Sequence, residues 1–311
     1  MDLTIFSGSS NAPLAAAIAK ALDVPLGQRL LGRTSDGELR VEIQENVRAR
    51  DVYLVQPTSP PLDQSMLELF FLADACRRSG AHHVTAVMPY FAYARQDRNL
   101  RGRQAVGARL IPDLLRMAGV GGVVAVDLHA ASVESAFANP LTHLSAVDLL
   151  SKALGEPPSD GVVVAADMGA LRIAERYSRT LGLPIAIVAK VRISDEEVLT
   201  RNLVGDVKGR KPLIVDDMII TGATIEAAVN RVIAAGAIRN VTVIATHGLF
   251  VGQAAARLRV LPITRLLVTD SVEVPSELGL PVEVTGLASL LAQAIFRLHA
   301  GDPLNDLVEQ I

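Results

Sequence analysis

The amino-acid sequence predicts an α/β protein of two domains, each with a mainly parallel sheet flanked by helices. Two observations lead to this prediction. Short apolar runs rich in β-branched residues alternate with segments of helical periodicity along the whole chain, which is typical of α/β architecture. The same order of elements also occurs twice over 311 residues, a length that suits two ordinary domains.

The first half of the chain contains four predicted strands and three predicted helices. Its apolar runs are bounded by glycine, proline or polar residues, as is typical of buried parallel strands. The predicted strands are residues 3–6, 52–55, 84–88 and 123–126, and the predicted helices are residues 12–22, 65–79 and 108–118.

The second half repeats this alternation. We place the domain boundary near Ser145, which gives domains of residues 1–144 and 145–311. A final amphipathic stretch, residues 287–298, could pack back on the first domain. The predicted strands of this half are residues 162–165, 185–188, 213–215 and 241–245, and the predicted helices are residues 171–181 and 224–235.

Composition excludes several classes of protein. Hydrophobic residues make up 50% of the chain and charged residues 20%, which suits a folded core and not a disordered protein. Cys76 is the single cysteine, so neither an internal disulfide nor a cysteine-based zinc site is expected. The longest uncharged stretch, residues 241–256, contains polar residues, and no signal peptide is evident. The net charge of −3 argues against a nucleic-acid partner. We therefore expect a cytoplasmic protein with no membrane or nucleic-acid partner.

The strongest motif follows the strand predicted at residues 213–215. Two acidic residues, Asp216 and Asp217, come first, and a turn then leads into a helix. Carboxylates at the carboxyl edge of a parallel sheet lie where α/β proteins bind ligands, and the free N–H groups of a helix N-terminus favour an anion. Carboxylates accept hydrogen bonds from sugar hydroxyls, so the motif predicts a sugar-phosphate site. The alternative is a plain helix capped by Thr224. The turn residues are Ile220, Thr221, Gly222, Ala223 and Thr224.

This turn, preceded by an acidic pair, resembles the ribose-phosphate loop of type I phosphoribosyltransferases. Other segments, in order along the chain, closely resemble the ribose-phosphate pyrophosphokinase family, and two of them are YFAYARQDR at residues 90–98 and VDLHA at residues 126–130. The resemblance covers nearly the whole chain and implies a pair of phosphoribosyltransferase-like, Rossmann-like domains. The other segments that carry it are residues 35–38, 41–43, 45–48, 205–210 and 245–247.

The resemblance implies an enzyme that moves the diphosphoryl group of ATP to the anomeric hydroxyl of ribose 5-phosphate, giving phosphoribosyl pyrophosphate (PRPP) and AMP for nucleotide biosynthesis. Chemistry of this kind depends on positioning and on charge neutralisation. The resemblance further implies Mg²⁺ as cofactor, ATP and ribose 5-phosphate as small-molecule substrates, and a homo-oligomer based on dimers, as in the hexamers usual in the family.

Site residues follow from the positions that match the family's motifs. From the residues alone, His129 could equally be a hydrogen bonder at a strand end, and Lys190 and Arg192 could belong to a solvated basic loop. The resemblance implies His129 and Asp167 as metal ligands and Lys190 and Arg192 as the catalytic basic pair. It implies Asp36, Gly37 and Glu38 (from a neighbouring subunit), Arg95, Gln96 and Asp97 as ATP-binding residues. It implies Arg192, Asp216, Asp217, Ile220, Thr221, Gly222, Ala223 and Thr224 as ribose-5-phosphate-binding residues.

The chain departs from the family's pattern at several of these sites. Thr34 stands where an aromatic ring is usual beside the adenine, and Ile220 stands where the phosphate loop commonly has aspartate. Ala131 and Ser132 replace the usual aspartate and glutamine after the VDLHA segment, so the metal site is expected to be less acidic.

Three functional hypotheses follow. The first is an active synthetase, which we favour because the basic pair, the metal ligands and the paired carboxylates are all present. The second is a regulatory or scaffold homologue with weak or no activity, to which the departures point. The third is a phosphoribosyltransferase that consumes PRPP, which would account for the phosphate loop but not for Arg95 and Gln96 or for two full domains.

Overall fold

A computed structural model describes residues 2–98, 102–191 and 200–308. At the borders of the second gap, only the backbone of residues 190, 191, 200 and 201 is described. The strands are β1 (Leu3–Ser7), β2 (Arg29–Arg33), β3 (Leu39–Ile43), β4 (Asp51–Val55), β5 (His83–Met88), β6 (Gly122–Val126), β7 (Leu141–Leu144), β8 (Gly161–Ala165), β9 (Ile185–Val191), β10 (Thr200–Val204), β11 (Lys211–Ile219), β12 (Val241–Gly248), β13 (Ile263–Thr269) and β14 (Val282–Thr285). The helices are α1 (Ala12–Ala21), α2 (Leu62–Arg78), α3 (Gly107–Ala118), α4 (Ala131–Glu134), α5 (Val147–Leu154), α6 (Leu171–Leu181), α7 (Ala223–Ala234), α8 (Ala254–Arg259) and α9 (Ala288–Ala300).

The chain divides into two compact units. The second unit is an insertion near the end of the first, because the chain returns to the first unit after it. The first unit consists of Met1–Ser145, Ser271–Glu273 and Gly286–Ile311, and the second of Ala146–Asp270 and Val274–Thr285.

The first unit is built on a parallel sheet with the strand order β1-β4-β5-β6-β7. Helices α2 and α3 pack together on one face, where Leu54, Leu69, Leu72 and Met88 are fully buried. Ile5 of β1 is buried on the other face of the sheet, because neighbouring residues of a strand point to opposite faces. Helix α1 packs on β1 and also contacts α9. Strands β2 and β3 form a separate antiparallel hairpin that contacts α2.

The second unit is built on a sheet with the strand order β10-β9-β8-β11-β12-β13-β14, in which only β10 runs antiparallel to its neighbour. The apolar face of α7, with Ile225, Val229 and Val232, packs on β11 over a core that includes Ile214 and Val243. In both units, near-continuous apolar strands are buried between helices, which is what parallel sheets require. The predicted α/β fold class is confirmed.

Element boundaries differ from the sequence prediction in one place that affects function. The predicted strand at residues 213–215 continues to Ile219, so Asp216 and Asp217 lie inside β11 and not after it. Helix α7 begins at Ala223, with Gly222 and not Thr224 at its N-cap. The β2–β3 hairpin and β14 were not predicted, because their residues are half-buried or exposed and lack a clear apolar run. Strand β13 was missed although its residues 266–268 form a short buried apolar run.

Within the described ranges, no helix has both the length and the apolar character that crossing a membrane requires.

Burial on α2 predicts a stability difference between two leucines of the same helix. Leu69 is fully buried, whereas Leu67 is 45% exposed. We expect Leu69→Ala to lower the free energy of unfolding by about 2–5 kcal/mol, because it removes buried methyl groups and leaves a cavity. Leu67→Ala should change it by no more than about 0.5 kcal/mol. Denaturant unfolding at one fixed protein concentration measures both, and equal losses would contradict the assignment of the core.

Candidate functional site

The candidate sugar-phosphate site begins where β11 extends beyond one of its neighbours. Strand β8 pairs with β11 only as far as Ala165 opposite Val215, whereas β12 continues alongside, with Asp216 opposite Ala245 and Ile219 opposite Gly248. The two aspartates therefore lie just past the carboxyl end of β8, at the edge where α/β sheets bind ligands. The sequence analysis also predicted that the two aspartates lie at this edge, but it ended the strand at residue 215 instead of Ile219.

Three consecutive backbone carbonyls lead from β11 to α7, and all three accept hydrogen bonds from the segment that follows β12. The Ile219 carbonyl accepts from the N–H groups of Leu249 (2.9 Å) and Phe250 (3.1 Å), and the Ile220 carbonyl from that of Val251 (2.9 Å). The Thr221 carbonyl accepts from the Arg257 guanidinium. In a trans peptide the N–H points opposite to the carbonyl. The N–H groups of residues 220–222 are therefore directed away from this segment.

Gly222 is required at the entry to α7. Its φ is +75°, a conformation that favours glycine, and a Cβ atom there would lie 3.2 Å from Leu258. Helix α7 has no side-chain cap, and its first N–H groups have no acceptor within the helix. Together with the preceding loop, this helix N-terminus forms a short run of N–H donors that suits an anion.

The carboxylates of this site repel one another. Asp216 is 8% exposed and accepts a hydrogen bond from the Asp217 N–H at 3.0 Å. Burial raises the pKa of Asp216 well above its ordinary value, and the charges of Asp217 and Asp167 raise it further. Asp167 accepts hydrogen bonds from the Gly169 and Ala170 N–H groups, at 2.8 and 3.3 Å. Asp216 therefore favours its protonated form more strongly than an exposed aspartate does.

The basic pair predicted from the sequence, Lys190 and Arg192, lies at the border of the described residues. Lys190 is in β9, paired with Arg201 of β10, and only its backbone is described. Arg192 lies outside the described residues.

In the first unit, the predicted nucleotide residues follow β5 in a turn. The side chains of Arg95 and Gln96 are exposed, and the turn is held by hydrogen bonds from the Gln96 N–H to the Tyr93 carbonyl and from the Ala108 N–H to the Gln96 carbonyl. The Asp97 carboxylate accepts a hydrogen bond from the Ser132 hydroxyl at 2.7 Å. Ser132, one of the departures from the family's pattern, therefore joins this turn to α4.

The turn that carries His129 is fixed by the end of β7. Asp127 has a positive φ of +39°, its N–H donates to the Leu144 carbonyl, and it accepts a hydrogen bond from the Ser145 hydroxyl. The Leu128 N–H donates to Nε2 of His143 at 2.7 Å. His143 Nδ1 is 2.8 Å from Glu134, so this ring carries its proton on Nδ1. His143 therefore supports the backbone next to His129.

The predicted cross-subunit segment, Asp36, Gly37 and Glu38, is the exposed turn between β2 and β3. Thr34 closes it, since its hydroxyl donates to the Asp36 carboxylate and its N–H donates to the Glu38 carbonyl. The hydrogen bond from Thr34 lowers the pKa of Asp36. A small hydroxyl residue thus organises the turn at a position where the family commonly has an aromatic ring.

In the ranges that the structure describes, no cluster of three or more His, Cys, Asp or Glu side chains has the arrangement of a metal site. Mg²⁺ usually keeps several waters and takes one or two protein carboxylates with substrate phosphates. An aspartate such as Asp167 at a strand end fits that mode of binding.

The buried carboxylate predicts a pH-dependent difference in stability. Because the pKa of Asp216 is raised on folding, its protonated form stabilises the folded state at low pH, and this contribution is lost as the pH rises through the folded-state pKa. Asparagine does not ionise. We therefore expect Asp216→Asn to match the wild type near pH 4 and to melt at progressively higher temperature than the wild type towards pH 8, by roughly 2–4 °C for each 1 kcal/mol.

Asp148→Asn is the matched control, because it removes the same charge from an exposed position on α5 of the same unit. Its melting temperature relative to the wild type should vary little across this pH range. A difference for Asp216→Asn that is constant with pH would contradict the raised pKa.

Comparisons with known proteins agree with this arrangement. A model of the N-terminal domain of ribose phosphate pyrophosphokinase matches residues 3–119, and one described as the phosphoribosyl synthetase-associated domain matches residues 192–309. Ribose-phosphate pyrophosphokinase of Gloeobacter violaceus is 41% identical over 300 residues, covering 96% of this chain and 90% of that protein. The Clostridium perfringens protein of that name is 38% identical over 313 residues, covering 99% and 98%.

A solved structure extends the likeness to three dimensions. The crystal structure of phosphoribosylpyrophosphate synthetase from Mycobacterium smegmatis has a TM-score of 0.91 at 36% identity, covering 97% of this chain and 100% of that chain. The predicted fold of two phosphoribosyltransferase-like domains is thereby confirmed. This chain belongs to the ribose-phosphate pyrophosphokinase family.

Proposed function

We propose that this enzyme transfers the diphosphoryl group of ATP to the anomeric hydroxyl of ribose 5-phosphate, giving PRPP and AMP for nucleotide biosynthesis. In the reaction the anomeric oxygen bonds to the β-phosphorus, the bond between that phosphorus and the α,β-bridging oxygen breaks, and the hydroxyl proton is released. One observation carries the proposal. In a chain of this family, the paired carboxylates on β11 are followed by a loop whose carbonyls accept hydrogen bonds from the segment after β12, so that its N–H groups face the other way.

The site in the second unit is suited to ribose 5-phosphate. The N–H groups of residues 220–224 receive the 5-phosphate, with the Thr221 and Thr224 hydroxyls beside them. Asp216 and Asp217 accept hydrogen bonds from the ribose hydroxyls. Ile220 contributes its backbone alone, so the aspartate common at this position is not needed for phosphate binding.

The remaining roles rest on the family motifs. Lys190 supplies a point charge and Arg192 a forked donor to the phosphoryl oxygens of the transferred group, and Arg192 also contacts the ribose phosphate. Arg95, Gln96 and Asp97 bind ATP. His129 and Asp167 serve as ligands of Mg²⁺, which neutralises phosphate charge when bound.

We also propose that the enzyme is a homo-oligomer based on dimers and that it acts in the cytoplasm. The turn of Asp36, Gly37 and Glu38 is exposed at the tip of a hairpin that is separate from the main sheet of its unit. In a dimer this turn would reach the ATP of a neighbouring subunit. Its support is the exposure of the turn together with the family motif.

The two alternative functions have less support. The full-length relatives are named as pyrophosphokinases, and none of the comparisons favours an inactive homologue or a phosphoribosyltransferase. Of the departures at Thr34, Ile220, Ala131 and Ser132, two have a local explanation, since Thr34 and Ser132 make hydrogen bonds within the ATP-side turns.

The proposed reaction is tested by measuring PRPP and AMP formed from ATP and ribose 5-phosphate with Mg²⁺. We expect activity in the wild type and a fall in kcat of about a hundredfold or more in Lys190→Ala, because a charge on the moving group is lost. Lys152→Ala, which removes an exposed lysine from α5, should retain activity. A wild type that is inactive with ATP, GTP and CTP but still binds ribose 5-phosphate would instead support the regulatory homologue.

The phosphate loop is tested by Gly222→Ala. Left-handed backbone strain and the approach of a Cβ atom to Leu258 should shift the loop and raise the KM for ribose 5-phosphate by about tenfold, with the KM for ATP little changed. Gly209→Ala is the matched control. Its φ of +68° imposes the same strain, but nothing lies within 4 Å of the added methyl group. Equal changes in the KM for ribose 5-phosphate in the two variants would contradict the proposal that this loop binds the phosphate.

A further inference from the structure

Arg257 on α8 makes two contacts that converge on the phosphate loop. Its guanidinium Nη1 donates to the Thr221 carbonyl at 2.5 Å, and its Nε is 2.9 Å from Glu226 Oε2. Arg257 is 36 residues from Thr221 along the chain. None of the motifs that identify the family includes it, and the proposed function gives it no role.

The first contact fixes the direction of one peptide. The Ile219 and Ile220 carbonyls are held by backbone N–H groups, but the Thr221 carbonyl is held by the Arg257 side chain. The Gly222 N–H belongs to the same peptide as that carbonyl, so it is aimed by this hydrogen bond. Gly222 has the left-handed conformation, and without the contact its peptide is the one in the loop that is most free to rotate.

The second contact concerns charge. Glu226 lies in the first turn of α7, where a carboxylate interacts well with the helix dipole but repels a bound phosphate. Ion pairing with Arg257 makes the two side chains neutral as a unit. Arg257 therefore removes a negative charge from the end of the helix that has to receive another anion.

We propose that Arg257 is a positioning residue for ribose 5-phosphate, which holds the Thr221 peptide in its phosphate-binding orientation and neutralises Glu226. The inference rests on the proposed function of this loop. Arg257 acts through the loop and through Glu226, and both of its described contacts are to protein groups. Its loss should therefore weaken the binding of the sugar phosphate and leave the nucleotide unaffected.

The test compares four variants by steady-state kinetics and by calorimetric binding of ribose 5-phosphate. We expect Arg257→Gln to raise the KM and the Kd for ribose 5-phosphate by about tenfold, the size of one lost charge-assisted hydrogen bond, with the KM for ATP unchanged. Arg257→Lys keeps the charge but not the fork, and should lie between this variant and the wild type. The double variant Arg257→Gln with Glu226→Gln should regain part of the lost affinity, because the unpaired carboxylate is gone.

Arg259→Gln is the matched control. Arg259 is on the same helix and also donates to a backbone carbonyl, that of Leu278 at 2.7 Å, away from the loop. It should leave the affinity for ribose 5-phosphate unchanged, and melting temperatures show whether each variant is folded.

Two results would overturn the proposal. One is an Arg257→Gln variant with the wild-type affinity for ribose 5-phosphate. The other is a double variant no better than Arg257→Gln, which would mean that Glu226 is not neutralised by Arg257. If the wild type binds ribose 5-phosphate but makes no PRPP, the proposed reaction fails while the binding constants still test Arg257. No binding by the wild type would overturn both.

Discussion

The candidate site depends on the way in which the peptides between β11 and α7 are held from one side. A backbone loop binds an anion only if its N–H groups converge on one point. A loop without hydrogen bonds to its carbonyls does not hold its N–H groups in that arrangement. Here the segment that follows β12 donates hydrogen bonds to the carbonyls of Ile219, Ile220 and Thr221. That segment is in place because β12 runs beside β11 along the full length of the extension. The sheet register thus sets the direction of the N–H groups.

The carboxylates of the proposed sugar site lower the stability of the fold. Asp216 is almost fully buried, and its burial and the charges of Asp217 and Asp167 raise its pKa. A chain selected for stability alone would have an apolar or amide side chain there. Hydroxyl groups and a cation are the partners that relieve such repulsion, and both are parts of the proposed substrate complex. Unfavourable interactions such as this charge repulsion are common in binding sites without their ligand.

The sequence predicted a large part of the fold because the strands that carry it are unusually apolar. Runs such as residues 162–165 and 123–126 are typical of strands in a parallel sheet that is covered on both faces. The acidic pair and the glycine turn were found for the same reason, since they interrupt such a run at its end. Half-buried strands such as β2 and β14 gave no comparable signal, because none of their residues is fully buried and polar residues interrupt or flank their apolar ones.

The supporting residues could not be predicted for a related reason. Arg257 is one of many arginines, and His143 is a histidine in a short strand. What distinguishes them is the carbonyl or N–H group that the fold brings to them, 36 residues away for Arg257 and 15 for His143. Residue type and local spacing do not encode such partners, whereas they do encode a strand, a turn and a helix start.

The return of the chain to the first unit has a consequence for synthesis. Helix α9 packs on α1, and Leu291 and Ile295 of α9 are buried, as are Leu14 and Ile18 of α1. During translation, α1 emerges before the second unit, and its partner α9 emerges only after every residue of that unit. The first unit therefore keeps an apolar helix face uncovered until the second unit has been synthesised. The second unit, although later in the sequence, is the one that can complete its fold first.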